Sequence, residues 1–191
     1  TIFLVDCRFD DSIELLKQVE AWFAEHMPDV TTRMVSLAST YKNDDPGLWN
    51  RIKTEGHAAI LGVGHCSTCA PAVTTHAITL ETSYGVPVVA FHTDKFTRVV
   101  ASTARAKGLP QVPVVFVPQP VMGKTPDELR AYIDGTDSVT GAPVMQMVIE
   151  GLTQPRTASA GNIAYDQTPH FVDPGTEAEL HELFRANWWT D

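Results

Sequence analysis

The chain has 191 residues, 43% of them hydrophobic and 19% charged. That is enough apolar material to bury roughly 70% of the unfolded surface in one core, and too much for a disordered segment. Its 23 acidic residues against 14 basic ones give a formal charge of −9, a balance that repels nucleic-acid phosphates and anionic lipid surfaces. No stretch approaches the roughly 20 apolar residues of a membrane span, and residues 1–6 meet a charge at Asp6 too soon for a signal peptide. A cytoplasmic protein that binds neither nucleic acid nor membrane is expected.

Ile2-Phe3-Leu4-Val5 is an apolar run that stops at Asp6, as a strand inside a parallel sheet does. From Ser12 to about Met27 apolar residues recur at helical spacing through Ile13, Leu16, Val19 and Phe23, with Ser12 the expected cap and Pro28 the stop. A second short strand is predicted over residues 31–35 and a second helix over 46–53. Ala58-Ala59-Ile60-Leu61-Gly62-Val63 is a third, wholly apolar strand, and it runs into the loop Gly64-His65-Cys66-Ser67-Thr68-Cys69. A helix capped by Thr68 should then continue to about Tyr84 and end at Gly85.

Residues 86–91 and 112–117 read as the fourth and fifth strands, with Pro87 and Pro113 near their starts, where a missing N–H is tolerated. Between them, 94–107 reads as a helix closed by Gly108. Helices over 126–133, with Thr125 as cap and Pro126 in first position, and over 142–152 complete the alternation. Apolar strands alternating with helices imply a sheet covered on both faces. The expected fold is therefore α/β, a three-layer sandwich with a mainly parallel, flavodoxin-like sheet of order 2-1-3-4-5, over residues 1–152.

Residues 153–191 change character. The stretch 153–168 is rich in Thr, Ala, Gly, Asn and Gln without a period and reads as an extended arm; 175–189 reads as a terminal helix with Leu180, Leu183, Phe184 and Trp188 on one face. The arm either wraps its own domain or crosses to a partner subunit, a second copy or a related chain.

Three cysteines occur, Cys7, Cys66 and Cys69, too few and too odd in number for a disulfide scaffold. In an open parallel sheet ligands bind beyond the carboxyl ends of the strands, where the strand order reverses. That rule selects Asp6, Cys7 and Arg8 after strand one, His65 to Cys69 after strand three, His92, Thr93 and Asp94 after strand four, and Gln119 between Pro118 and Pro120 after strand five. Cys66 and Cys69 at a helix start would feel unpaired N–H groups and the helix dipole, a placement that favours thiolate. A Cys-x-x-Cys there suits one thiol that attacks and a second that resolves the adduct as a disulfide, with His65 or His92 moving protons.

Catalysis is thus expected from Cys66, Cys69, His65 and His92. Substrate contacts are expected from Asp6, Cys7, Arg8, Ser67, Thr68, Thr93 and Gln119. Asp6 either caps the next turn or orients a proton donor, and Arg8 and Lys124 are the candidates to hold a carboxylate or phosphate. A zinc site would need His57 or His76 beside His65, Cys66 and Cys69 and lacks the separated second pair that structural zinc usually takes. No cofactor is expected, with a metal on His65, Cys66 and Cys69 the minor alternative. Gly62-Val63-Gly64 lacks the third glycine of a dinucleotide fingerprint.

The run from Ile60 to Cys69 resembles the UGSC family, named for a selenocysteine-Gly-Ser-Cys box after a strand and a glycine. The likeness extends through Gly85-Val86-Pro87-Val88-Val89, Ala106-Lys107-Gly108-Leu109-Pro110 and Val115-Phe116-Val117-Pro118-Gln119-Pro120. The resemblance puts Cys66 in the place of the selenocysteine or primary cysteine and Cys69 in that of the second cysteine. The box is also similar, distantly, to the selenoprotein B subunit of glycine reductase, which implies thiol or selenol chemistry on a small molecule. Ser67-Thr68 replaces the family's Gly-Ser, and Gln119 stands where a histidine is expected between two prolines, so protons must come from His65 or His92 or the chemistry must differ. The resulting expectation is an enzyme for thiol-dependent reductive or eliminating cleavage of a small organic substrate. The alternatives are a non-redox cysteine-dependent lyase, isomerase or racemase, with Cys7 opposed to Cys66, and a non-catalytic subunit of a heteromeric enzyme.

Overall fold

The computed structural model describes residues 1–154 and 175–187. Five strands, β1 (Ile2–Asp6), β2 (Thr32–Ser36), β3 (Ala58–Gly64), β4 (Val88–Thr93) and β5 (Val114–Val117), form one sheet. Its order is β2-β1-β3-β4-β5 and every neighbouring pair is parallel. The fold is α/β and flavodoxin-like. Because β1 is followed by a crossover to β2 on one side and β3 on the other, the strand order reverses between β1 and β3, and the loops leaving these two strands open a crevice.

Period-two alternation decides which helices cover which face. Leu4, Ile60, Val89, Phe91, Val115 and Val117 point to the layer built by α1 (Ser12–His26), α5 (Pro126–Asp134) and α6 (Val144–Thr153). Phe3, Val5, Ala59, Leu61, Val88 and Ala90 point the other way, towards α2 (Pro46–Glu55), α3 (Cys69–Thr79) and α4 (Thr97–Ala106). Both faces are dry, which is why the central strands read as unbroken apolar runs. A final helix, α7 (Glu177–Asn187), follows the undescribed stretch. No helix among the described residues is long and apolar enough to cross a membrane.

The boundaries depart from expectation where hydrogen bonding overrides pattern. The expected helix to Tyr84 is α3 plus a π-helical turn, Leu80–Tyr84, stopped by Gly85 at φ +70°. The helix expected from residue 94 is a 3₁₀ turn, Asp94–Phe96, followed by α4, and α6 begins at Val144. Along α1 the buried stripe runs through Leu15, Leu16, Val19 and Phe23, with Ile13 outside it. Ser12 is not a cap. Wholly buried, it donates to the Phe9 carbonyl and accepts from Val63 N–H at 3.1 Å, tying the loop after β1 to β3. Thr125 does cap α5, in a reciprocal capping box with Glu128. Of the arm, all but residues 153–154 of the stretch 153–168 lies outside the described residues, as does Trp188. Within α7, Leu180 is exposed and Leu183 and Phe184 are half-buried.

Candidate functional site

The two Cys-x-x-Cys sulfurs hold the start of α3. Cys66 Sγ accepts from Cys69 N–H at 2.9 Å, and Cys69 Sγ accepts from Cys66 N–H at 2.9 Å and from His65 N–H at 3.2 Å. This is the reciprocal bonding of a capping box, and the three-residue spacing that serves Ser-x-x-Glu elsewhere here serves two sulfurs. Thr68, the expected cap, makes no capping bond; its hydroxyl lies 3.5 Å from Cys66 Sγ and 2.9 Å from the Tyr41 hydroxyl.

The thiols are not equivalent. Cys66 keeps 7% of its surface exposed at the rim, while Cys69 and Cys7 keep none. Cys69 satisfies itself as a thiol, its S–H reaching the Cys66 carbonyl at 3.7 Å. Burial, then its contact with Cys66, pushes its pKa well above the usual thiol range. The expectation that helix-start placement makes both sulfurs thiolates therefore does not hold for Cys69; desolvation outweighs the dipole.

Cys7 does not belong to the rim. Its side chain sits in the core beside Val5, Leu37 and Trp49, and burial, then the Asp6 charge, raises its pKa strongly. It is no substrate ligand and no opposed thiol for Cys66. Asp6 likewise turns inward. One carboxylate oxygen accepts from Arg8 N–H at 2.9 Å and the other from the Ser36 hydroxyl at 2.9 Å, so it shapes the loop and does not reach for substrate. That grip accompanies a left-handed backbone at Arg8, φ +58°, next to another at Asp10, φ +35°. The exposed Arg8 side chain makes no ion pair among the described residues. Lys124, the other candidate for an anion, is already paired with Glu128 at 2.8 Å.

His65 is nearly buried. Its Nε2 donates to the Phe9 carbonyl at 3.2 Å and its ring packs edge-on to Phe9 at 4.8 Å. Burial lowers its pKa, and the Phe9 bond leaves Nδ1 as the proton acceptor. His92 lies in β4, not in the loop after it, and has no exposed surface. Its Nε2 meets the Thr74 hydroxyl at 3.3 Å, and burial pushes its pKa down to about 3. Its ring occupies the space a side chain on Gly64 would need.

Thr93 Oγ1, His92 Nδ1 and Gln119 Oε1 are buried without a hydrogen-bond partner among the described residues. Gln119 spans two loops, its Nε2 donating to the His65 carbonyl at 3.4 Å and its backbone N–H to Asp94 at 3.3 Å. Ser67 is exposed beside Cys66. His76 is a packed residue, bonded to the Tyr41 carbonyl at 2.7 Å and tilted against Trp49. His57 lies elsewhere, 3.0 Å from the Thr1 amine. Among the described residues no three His, Cys, Asp or Glu side chains gather as metal ligands.

Tyr41 is the rim residue that the sequence reading passed over. It leaves the loop after β2, packs edge-on to Phe9 at 5.3 Å and reaches Thr68. β2 neighbours β1, so its loop shares the same rim, and a lone aromatic between Ser39-Thr40 and Lys42-Asn43 was the available signal.

Residues 1–153 match the sequence model of the UGSC family. No curated protein and no solved structure matches the chain.

Proposed function

The chain belongs to the UGSC family, and from that premise together with the rim geometry we propose an enzyme that cleaves a small organic substrate with a thiol nucleophile, Cys66. The single observation that carries this reading is the asymmetry of the pair. Cys66 is the sulfur that reaches the surface, held from behind by Cys69 N–H, while Cys69 waits as a neutral thiol beneath it.

In a reductive cleavage, Cys66 sulfur bonds to the electrophilic centre as the first leaving group departs. Cys69 then attacks the Cys66 sulfur, the two sulfurs join, and the electron pair of the broken bond leaves with the substrate carbon or heteroatom. The Cys69 proton passes to that fragment, and His65, whose backbone N–H already meets Cys69 Sγ at 3.2 Å, is the residue we assign to carry it. An external dithiol returns the disulfide to its starting state. Arg8 offers the charge for an anionic substrate, and Gln119, half-buried against the His65 carbonyl, offers an Oε1 that a bound hydrogen-bonding group would satisfy. Thr93, expected as a substrate contact, has no exposed surface and faces the interior of the sheet instead. His92, neutral and sealed, supports the loop and transfers no proton. The racemase-like alternative loses its opposed thiol with the burial of Cys7.

The test uses 2,2′-dithiodipyridine, which reports each thiol attack by the release of a coloured thiopyridone. Wild-type protein releases two equivalents rapidly, Cys69→Ser releases one and retains a mixed disulfide on Cys66, and Cys66→Ser releases none in the rapid phase. Rapid release by Cys66→Ser would remove Cys66 as the nucleophile.

A further inference from the structure

Cys66 sulfur has a second polar neighbour besides Cys69 N–H, and that neighbour is itself held. The Thr68 hydroxyl lies 3.5 Å from Cys66 Sγ and 2.9 Å from the Tyr41 hydroxyl. Thr68 is exposed at a helix start and makes no capping bond, so its hydroxyl is not committed to the helix N-terminus and bridges the Cys66 sulfur and the Tyr41 hydroxyl, the second contact being the shorter.

Tyr41 is fixed on several sides. Its carbonyl accepts from His76 Nε2 at 2.7 Å, its ring stands edge-on to Phe9 at 5.3 Å, and Lys42 Nζ lies 5.7 Å from the ring centroid. The loop carrying it is pinned by Asp45, which accepts from Ala38 N–H at 2.8 Å and from Leu48 N–H at 3.0 Å. The hydroxyl is thus presented by a rigid support and not by a free surface side chain.

We propose that Tyr41 is a positioning residue for the Cys66 thiol, acting through Thr68. The proposal rests on the reading of Cys66 as nucleophile. A hydroxyl has one proton and accepts through its lone pairs. When Tyr41 donates to Thr68 Oγ1, the Thr68 proton is free to point at the sulfur, which then accepts from both Thr68 O–H and Cys69 N–H. Two donors aimed at one sulfur are the environment a charged nucleophile needs. The loop after β2 is in this way coupled to chemistry that starts at β3. The titratable groups facing the chain are Lys42 and His76 at Tyr41, Cys69 beneath the sulfur, and His65 across the Phe9 ring, and all are retained in the variants below.

The experiment follows iodoacetamide alkylation of Cys66 as a function of pH by peptide mass spectrometry, in full-length wild type, Tyr41→Phe, Thr68→Val and Thr68→Ser. Tyr41→Phe keeps the ring against Phe9 and removes only the hydroxyl; Thr68→Ser keeps the hydroxyl. Tyr41→Phe and Thr68→Val should each slow Cys66 about fivefold near neutral pH and displace the profile to higher pH, with Thr68→Ser close to wild type. The double variant should be no slower than Thr68→Val alone, because the two hydroxyls act in series. A Tyr41→Phe profile that overlays wild type, an additive double variant, or a Thr68→Ser profile as displaced as Thr68→Val overturns the proposal. If Cys66 of the wild type is not the fastest thiol, it is the functional reading that falls, whatever Tyr41→Phe does.

Discussion

Gly64→Ala perturbs the hinge between β3 and the Cys-x-x-Cys loop. A Cβ at Gly64 would fall on His92 Nδ1, 2.7 Å from His92 Cε1 and 2.9 Å from Ala70 Cα, all closer than real Cβ contacts. Neither obstacle yields cheaply. His92 is wholly buried and its ring is tied to Thr74, whose hydroxyl donates to the Ala70 carbonyl at 2.8 Å, and Ala70 moves only with the first turn of α3. Overpacking of a core costs about 1–3 kcal/mol, and with both neighbours fixed the upper end applies, about 3 kcal/mol. For a chain of this size that lowers Tm by about 6–12 °C. Differential scanning calorimetry measures it directly. Gly64→Ala combined with His92→Ala supplies the internal control: the double variant should be at least about 1 kcal/mol more stable than the two single losses predict, because removing the ring removes the clash. A Gly64→Ala protein melting within about 2 °C of wild type, or strict additivity in the double variant, would refute the account of how β3, β4 and α3 meet behind the site.

Two other outcomes follow from the burial of single residues. His92 has an ordinary value of 6.5 and a folded value of about 3, so between these the unfolded chain binds the proton that the native protein refuses, and stability falls as the pH drops through that window. Between pH 7 and pH 5 this residue alone contributes a loss of about 2 kcal/mol, and His92→Asn should show a correspondingly smaller decline in Tm; equal declines contradict the assignment. Cys7→Ala should cost about 1 kcal/mol for its lost sulfur while leaving the rapid two-equivalent thiopyridone release intact, and loss of that release would return Cys7 to the site.

The sheet was legible because short apolar runs such as Ala58 to Val63, alternating with helical segments, are what strands of a sheet covered on both faces leave in a sequence, and because Gly85, Gly108 and the Thr125-Pro126 start are local signals that do not depend on the rest of the chain. The residue types of the site were legible for the same reason, since Cys66 and Cys69 lie at a strand-to-helix turn wherever the helix exactly begins. Partner choice was not. Ser12 satisfies Val63, 51 positions away, and Thr68 turns to Tyr41, and neither tie exists until the layers have packed. For Cys7 the signal was present and outweighed by its place at the strand end: period two along Phe3, Val5 and Cys7 puts all three on one inner face. His92 is an extension of the same rule, a strand residue whose side falls under α3. Sequence position could not separate a neutral, buried Cys69 from an accessible Cys66 either, because that difference is one of solvent exposure set by packing.

The central claim, that Cys66 is the reactive sulfur and the other two are sealed, is tested most directly by labelling native protein with a limiting amount of iodoacetamide near neutral pH and mapping all three cysteines by mass spectrometry. The account predicts that Cys66 is carbamidomethylated first and nearly alone, with Cys69 and Cys7 modified only after denaturation. Labelling of Cys69 or Cys7 at a rate equal to or above that of Cys66 in the folded protein would contradict it.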